Sequence, residues 1–303
     1  MSGSSHGQAW HGQAAAPNGS SERRLRPKEF EQIAKTMYRS FGVDLGGKEI
    51  LVEARLGKKL RELGMESFEQ YWKMVEEDRS GESLTAMVDL LTTNHTSFFR
   101  ETQHFDYLRR EILPSLPPPG RIRVWSAACS TGEEPYSIAF TLLEALGAAQ
   151  AARIGILASD ISTRVLAAAG RGIYTSERLG TMPNEQQRRY LLKGTKDSQG
   201  SYLVKQEVRS LVTFERLNLM EDFSHVGVFQ VIFCRNVMIY FDQKTQQALV
   251  NRLAAQLAPG GHLLIGHAES LNGIDHGLKY IRPATYRKIA GPSNSFYRRH
   301  TDR

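Results

Sequence analysis

The sequence predicts an α/β protein in two parts: an all-helical domain over about 27–91, then a mainly parallel sheet over 121–290 with helices on both faces. Three observations carry this. In the first part apolar residues recur at threes and fours, the period of helices with one buried face. In the second, short apolar runs that end in small or polar residues alternate with helical stretches, the signature of strand–helix–strand units. The 303 residues, 41% of them hydrophobic, exceed one typical domain of roughly 100–200 residues and can fill more than one core.

Residues 1–26 are polar, small and Gly/Ser-rich, without the apolar stretch of a secretion signal, and read as a disordered tail. Over 27–41, Phe30, Ile33, Ala34, Met37 and Tyr38 mark a helix; over 48–63, Ile50, Leu51, Ala54, Leu56 and Leu60 mark a second. Two shorter helices over 67–76 and 83–91 each start near a serine suited to capping. Residues 92–120 form an interdomain segment, in which the proline-rich run from Leu113 to Gly120 ends a helix starting near Glu101. Strands are expected over 121–128, 154–160, 228–234 and 262–267, and helices over 133–146, 162–169 and 245–257. The turn-rich stretch around 190–217 reads as a small antiparallel β insertion, with Tyr202–Val204 and Val212–Glu215 as its strand-prone pieces. Residues 291–303 form a polar tail.

Composition narrows the functional classes. No apolar run approaches the roughly 18 residues of a membrane span, so no membrane insertion is expected. The two cysteines, Cys129 and Cys234, each end an apolar run and read as core thiols in a reducing compartment. Their spacing suits no metal site, and none is expected. The net charge of +7 is compatible with nucleic acid, an anionic surface or an acidic protein partner, and alone does not choose among them.

Ligands of open parallel sheets sit beyond the carboxyl ends of the strands. Three such ends carry polar groups here: Ser126-Ala127-Ala128-Cys129-Ser130-Thr131-Gly132-Glu133-Glu134-Pro135, Ser159-Asp160-Ile161-Ser162, and Cys234-Arg235-Asn236-Val237-Met238-Ile239-Tyr240-Phe241. The first holds one glycine rather than the dinucleotide pattern G-x-G-x-x-G. It also sets two carboxylates where a pyrophosphate would lie. That charge suits a ligand with a cationic end, such as S-adenosylmethionine. Acidic residues at a helix start are also ordinary dipole partners, and an Asp after a strand, as at Asp160, also serves as a helix cap.

These stretches, with Thr93-Asn94-His95-Thr96-Ser97-Phe98-Phe99-Arg100-Glu101 and Asp242 after Phe241, resemble the CheR chemotaxis receptor methyltransferase family over roughly residues 27–289. The resemblance implies a class I S-adenosylmethionine-dependent methyltransferase (Rossmann-like) domain with an antiparallel β insertion, behind a helical N-terminal domain. It implies S-adenosyl-L-methionine as cofactor, S-adenosyl-L-homocysteine as product, and glutamate side chains on the cytoplasmic helices of chemoreceptors as substrate, modified by a cytoplasmic monomer. Residue by residue, Asn94, Thr96 and Arg100 match the segment reaching over the cofactor. Glu133 matches the contact to the methionine end, and Asp160 the ribose ligand. Asn218 and Leu219 match the adenine pocket, and Arg235 and Asn236 the positions beside the cofactor. Arg100 and Tyr240 are the catalytic candidates. Arg55, Lys58 and Lys59 share one helix face and match a basic helix that faces the acidic receptor; a solvated charged face has the same pattern. In some members a glycine-rich loop of the insertion docks a receptor C-terminal pentapeptide. Here that loop carries Lys196 and Asp197, which argues against such a tether.

Three other readings fit less well. An enzyme acting on base amines of nucleic acid would carry Asn/Asp-Pro-Pro-aromatic after the fourth strand, where this chain has Arg235-Asn236-Val237-Met238. It would also show basic residues interleaved with aromatics. A non-catalytic adaptor would not need the polar set Asn94, Arg100, Glu133, Asp160 and Asn236. A dinucleotide oxidoreductase lacks its glycines. No general base is required of the nine histidines, because a glutamate with a reference pKa of about 4.3 is already ionised at neutral pH.

Overall fold

The computed structural model of the protein describes residues 24–116, 120–180 and 182–289. The tail expected over 291–303, and all but the last three residues of the tail expected over 1–26, lie outside these.

Four helices open the chain: α1 (Pro27–Phe41), α2 (Glu49–Glu62), α3 (Phe68–Glu77) and α4 (Glu82–Leu91). Proline at its first turn starts α1, where a missing N–H costs nothing, and Gly42 in the left-handed region stops it. Of the residues expected to face the core, Ile33 and Met37 of α1 and Leu56 and Leu60 of α2 are buried, but Tyr38, Ile50 and Leu51 are exposed, and Phe41 and Val52 complete the buried faces instead. Ser67 caps α3, its hydroxyl accepting from the Gln70 N–H. No serine caps α4; Gly81 precedes it in the left-handed region. A broken helix follows, Gln103–Tyr107, one π turn Leu108–Ile112 and the short Leu113–Ser115.

Ten strands complete the fold: β1 (Ile122–Ala127), β2 (Ile154–Asp160), β3 (Ile173–Thr175), β4 (Leu191–Lys193), β5 (Ser201–Val204), β6 (Val212–Arg216), β7 (Phe229–Cys234), β8 (Leu257–Ile265), β9 (Leu278–Arg282) and β10 (Thr285–Lys288). The main sheet runs β6-β2-β1-β7-β8-β10-β9. Its first five strands are parallel, and β10 is antiparallel to both neighbours. The chain works outward from β1 through β2 to β6, then returns to lay β7 on the other side of β1. This switch leaves a crevice beyond the ends of β1 and β7.

Two strand assignments differ from expectation. Val212–Arg216 is not part of the insertion; β6 pairs in parallel with β2, from Val212 opposite Ile156 to Arg216 opposite Asp160. The small antiparallel sheet, ordered β3-β5-β4, instead recruits Ile173–Thr175. In addition, β8 starts at Leu257 and runs through Pro259–Gly261, its first residue pairing with Phe229 across a register shift.

Two cores lie on either face of the main sheet. One joins Met37, Leu56 and Met87 of the helical domain to Trp125, Phe229, Leu249 and Leu253. The other packs Phe140 and Tyr136 of the helix Glu133–Leu146 with Val124, Phe233 and residues of the small sheet. Each such fully buried side chain contributes about 1.5–3 kcal/mol, so the helical domain is fixed on the sheet by shared packing. Both cysteines are buried and free, and burial pushes both thiols well up.

Candidate active site

A cavity of about 220 Å³ opens at the switch point, between the sheet's carboxyl edge and the helical domain. Its backbone is strained where it is lined. Of the seven described non-glycine residues with positive φ, five, Phe99, Glu101, Ala128, Ser130 and Asn236, lie in the three segments that converge on it. Such conformations cost of order 1–3 kcal/mol each and persist only where the surroundings fix them.

The sheet supplies one wall. Asp160, at the end of β2, accepts from the N–H groups of Ser130 (2.9 Å) and Ser162 (3.1 Å). Burial pushes its carboxyl up to about 6, against the pull of these N–H donors. Ser162 performs the helix capping, its hydroxyl accepting from the Val165 N–H, so Asp160 is not spent on a cap. In the turn after β1, Gly132 has φ +94°, and a Cβ there would meet the Ala169 Cβ and the Tyr174 hydroxyl at 2.8 Å. The turn therefore needs glycine to close onto the helix Thr163–Arg171 and the β3 Tyr174.

The two carboxylates at the start of the helix Glu133–Leu146 diverge. Glu133 is fully buried, with its carboxylate held by Arg178 and the Thr131 hydroxyl, and is not on the cavity wall. Glu134 is on it. Its carboxylate accepts from the Ser126 hydroxyl (2.7 Å) and from Arg235 (2.9 Å). Adjacent helix positions point about 100° apart, which composition at that turn does not resolve.

Arg235, buried after β7, is held at both terminal nitrogens by acceptors, Glu134, Glu101 at 2.9 Å and the Arg100 carbonyl, while its Nε–H has no partner among the described residues. Its charge is internally neutralised, and the carboxylates hold it more firmly than a surface pair would. Asn236, at φ +58°, donates its N–H to Glu269 (3.0 Å), which also accepts from the N–H groups of Met238 (2.8 Å) and Gly266 (2.6 Å). One carboxylate thus ties the ends of β7 and β8. Neither Glu101 nor Glu269 was singled out by the sequence; Glu101's place directly after Arg100 in the first motif was the available signal. Ligand atoms of Glu101, His104 and His267 lie within 4.8 Å of one another. The Arg235 guanidinium on Glu101 supplies positive charge there, and burial pushes the His104 imidazole down to about 3, leaving it neutral.

The interdomain segment supplies the opposite wall. Asn94 and Thr96 line the cavity. Arg100 lines it too, and among the described contacts its guanidinium makes one hydrogen bond, to the His95 carbonyl (2.9 Å). Four of the five N–H donors of an arginine are left over. The Tyr240 hydroxyl is anchored to this segment, accepting from the Thr93 N–H (2.9 Å) and donating to the Thr93 carbonyl (3.3 Å). At the apolar end, Leu219 and Asn218 follow β6, and Asn218 donates to the Ser40 carbonyl (2.8 Å). Phe41, Val43 and Leu217 complete that end.

The residues present fit S-adenosylmethionine: an apolar end for a base, a carboxylate positioned for a ribose diol, and paired charges for a zwitterionic amino acid. A pyrophosphate would meet Asp160 and Glu134 instead of free N–H groups.

Arg55, Lys58 and Lys59 lie on α2, and none of the three lines the cavity. The Arg55 guanidinium donates to the Leu90 and Thr92 carbonyls (3.2 and 2.9 Å) and to the Thr93 hydroxyl (3.0 Å), bracing the end of α4. Lys59 pairs with Glu62 at 3.4 Å, while Lys58 is exposed.

Two family models match the chain: "CheR methyltransferase, all-alpha domain" over residues 28–92 and "CheR methyltransferase, SAM binding domain" over residues 94–286. A "Chemotaxis protein methyltransferase" of Borreliella burgdorferi is 40% identical, covering 86% of this chain and 94% of its own. "Chemotaxis protein methyltransferase 2" of Pseudomonas aeruginosa is 42% identical, covering 88% and 95%. A "Chemotaxis protein methyltransferase" of Escherichia coli is 42% identical, covering 83% and 87%. With both parts of its fold matched in order, the chain belongs to the CheR methyltransferase family and is an S-adenosylmethionine-dependent methyltransferase.

Proposed function

We propose that the protein is a chemotaxis protein methyltransferase that esterifies glutamate side chains on the cytoplasmic helices of chemoreceptors, acting as a monomer in the cytoplasm. The observation that carries this is the under-used guanidinium of Arg100 on the wall of the cavity that holds Asp160. A free cation beside a cofactor pocket is a receptor for an incoming carboxylate.

Bound in the cavity, S-adenosylmethionine supplies an electrophilic methyl group. Asp160 accepts the two ribose hydroxyls, and Asn218 and Leu219 line the adenine. Asn94, Thr96, Arg235 and Asn236 hold the rest. Glu134, on the wall, takes the part at the methionine end that the family resemblance gave to Glu133. Arg100 orients the substrate carboxylate by charge-assisted hydrogen bonds. Tyr240, fixed to Thr93, keeps the interdomain segment closed over the site. No side chain needs to remove a proton, so catalysis consists of orientation and exclusion of water, which can supply as much as roughly 7–11 kcal/mol. A dry site also favours a transition state in which opposite charges merge.

On the outer face, Lys58 and Lys59 meet the acidic receptor helix, and Arg55 fixes α4 behind them. No described helix is long and apolar enough to cross a membrane. Methyl transfer to purified receptor cytoplasmic fragments, with peptide mapping of the ester, tests the reading. Esters on glutamate support it; methyl groups on nitrogen, or on no receptor residue, refute it.

A further inference from the structure

A closed circuit of hydrogen bonds crosses the two domains at the cavity, and one of its five residues belongs to the helical domain proper. The Asp89 carboxylate of α4 accepts from the Asn94 side chain (3.2 Å) and from the Ser162 hydroxyl (2.6 Å). The Asn94 carbonyl accepts from the Ser130 hydroxyl (3.0 Å). The Ser130 N–H donates to one Asp160 oxygen and the Ser162 N–H to the other, which closes the ring. Arg164 adds an ion pair to Asp89 at 3.1 Å from outside; its side chain is 72% exposed, that of Asp89 only 9%.

Helix stability does not explain this carboxylate. Near the C-terminal end of α4 a negative charge opposes the helix dipole. It sits where the energetics of its own helix disfavour it, and its contacts are with two segments flanking the cavity. Each of those segments also bears on Asp160, one through Ser130 and the other through Ser162.

We propose that Asp89 is a positioning residue for the cofactor pocket: through Asn94 and Ser162 it clamps the interdomain segment and the turn after β2 around Asp160. It touches no reacting atom. The inference rests on the reading of Asn94 and Asp160 as cofactor-binding residues.

The test is calorimetric binding of S-adenosyl-L-homocysteine to Asp89→Ala, Asn94→Ala, the double variant and Arg164→Ala, with thermal melts alongside. Asp89→Ala is expected to weaken binding about tenfold. Because Asp89 acts in part through Asn94, the double variant should bind within about threefold of the weaker single variant. Arg164→Ala, which removes only the exposed ion pair, should bind within twofold of wild type. Asp89→Asn keeps the volume and one acceptor, should lose about threefold, and stands in if the alanine variant does not fold. The proposal is overturned if Asp89→Ala, or in its place Asp89→Asn, binds as wild type does, if the two single effects multiply, or if Arg164→Ala is as weak as Asp89→Ala. Unchanged affinity in Asn94→Ala would instead overturn the site reading on which the inference rests, a separate failure with its own signature.

Discussion

The two walls of the cavity are built by different means. The sheet wall is backbone-bound: Asp160 takes two main-chain N–H groups, and Gly132 closes the turn beside it where a side chain would collide. The opposite wall, residues 93–101, has no regular structure and is tied down by contacts from elsewhere: Arg235 on the Arg100 carbonyl, Tyr240 on Thr93, Arg55 on Thr92 and Thr93. A wall fixed by the fold is suited to hold a cofactor in one pose. A wall fixed by side chains leaves a cation, Arg100, free to meet a substrate. Affinity should therefore reside on the first wall and turnover on the second.

The largest effect expected from breaking this division is on the sheet wall. With Asp160 as the proposed ribose ligand, Asp160→Ala would remove two charge-assisted hydrogen bonds, worth about 1.5–3 kcal/mol each. Cofactor affinity measured by calorimetry should fall by about two to four orders of magnitude. Next, Arg100→Ala should lower kcat about a hundredfold in single-turnover methyl transfer, a loss of about 2.7 kcal/mol, while cofactor Kd stays within about threefold. If the two variants exchanged signatures, the division would be wrong.

A pH titration sharpens the comparison. Burial raises the Asp160 carboxyl to about 6, and the ionised form is the one that accepts two hydroxyls. Binding is then full above that value and lost as pH falls through it. At pH 5 the cofactor should bind about tenfold more weakly than at pH 7, and Asp160→Asn should flatten the profile. The smallest effect lies outside the cavity. Lys58→Glu should raise KM for receptor about threefold in a salt-sensitive way, with cofactor Kd unchanged. Arg55→Glu should in addition lower Tm and, unlike Lys58→Glu, loosen the cavity wall, because its partners are the carbonyls at the end of α4 and the Thr93 hydroxyl.

The parallel half of the sheet was legible because its strands are buried runs: Ile122–Ala127 and Phe229–Cys234 each expose at most one half-buried position. The edge strands were not. Val212–Arg216 buries only its first residue, so local sequence marked a strand without saying which sheet would take it, and pairing with β2 decided that. Strand β9 passed unseen for the same reason, with four of its five residues exposed, and the short β10 buries only Thr285 and Tyr286, too brief a run to mark a strand. At the site, motif order brought Asn94, Arg100, Asp160 and Arg235 onto one cavity. What neutralises Arg235 comes from Glu101 and Glu134, more than a hundred residues away, and no local pattern records such a pair. The choice of Glu134 over Glu133 for the wall depends on side-chain direction at a helix start, which residue types leave open.

The most direct measurement incubates the protein with methyl-labelled S-adenosylmethionine and chemoreceptor cytoplasmic fragments, then treats the product with mild alkali. Label on receptor glutamates that is released as methanol is the expected result, with wild type active and Arg100→Ala nearly silent although it binds cofactor. Alkali-stable label, or an Arg100→Ala variant as active as wild type, would contradict it.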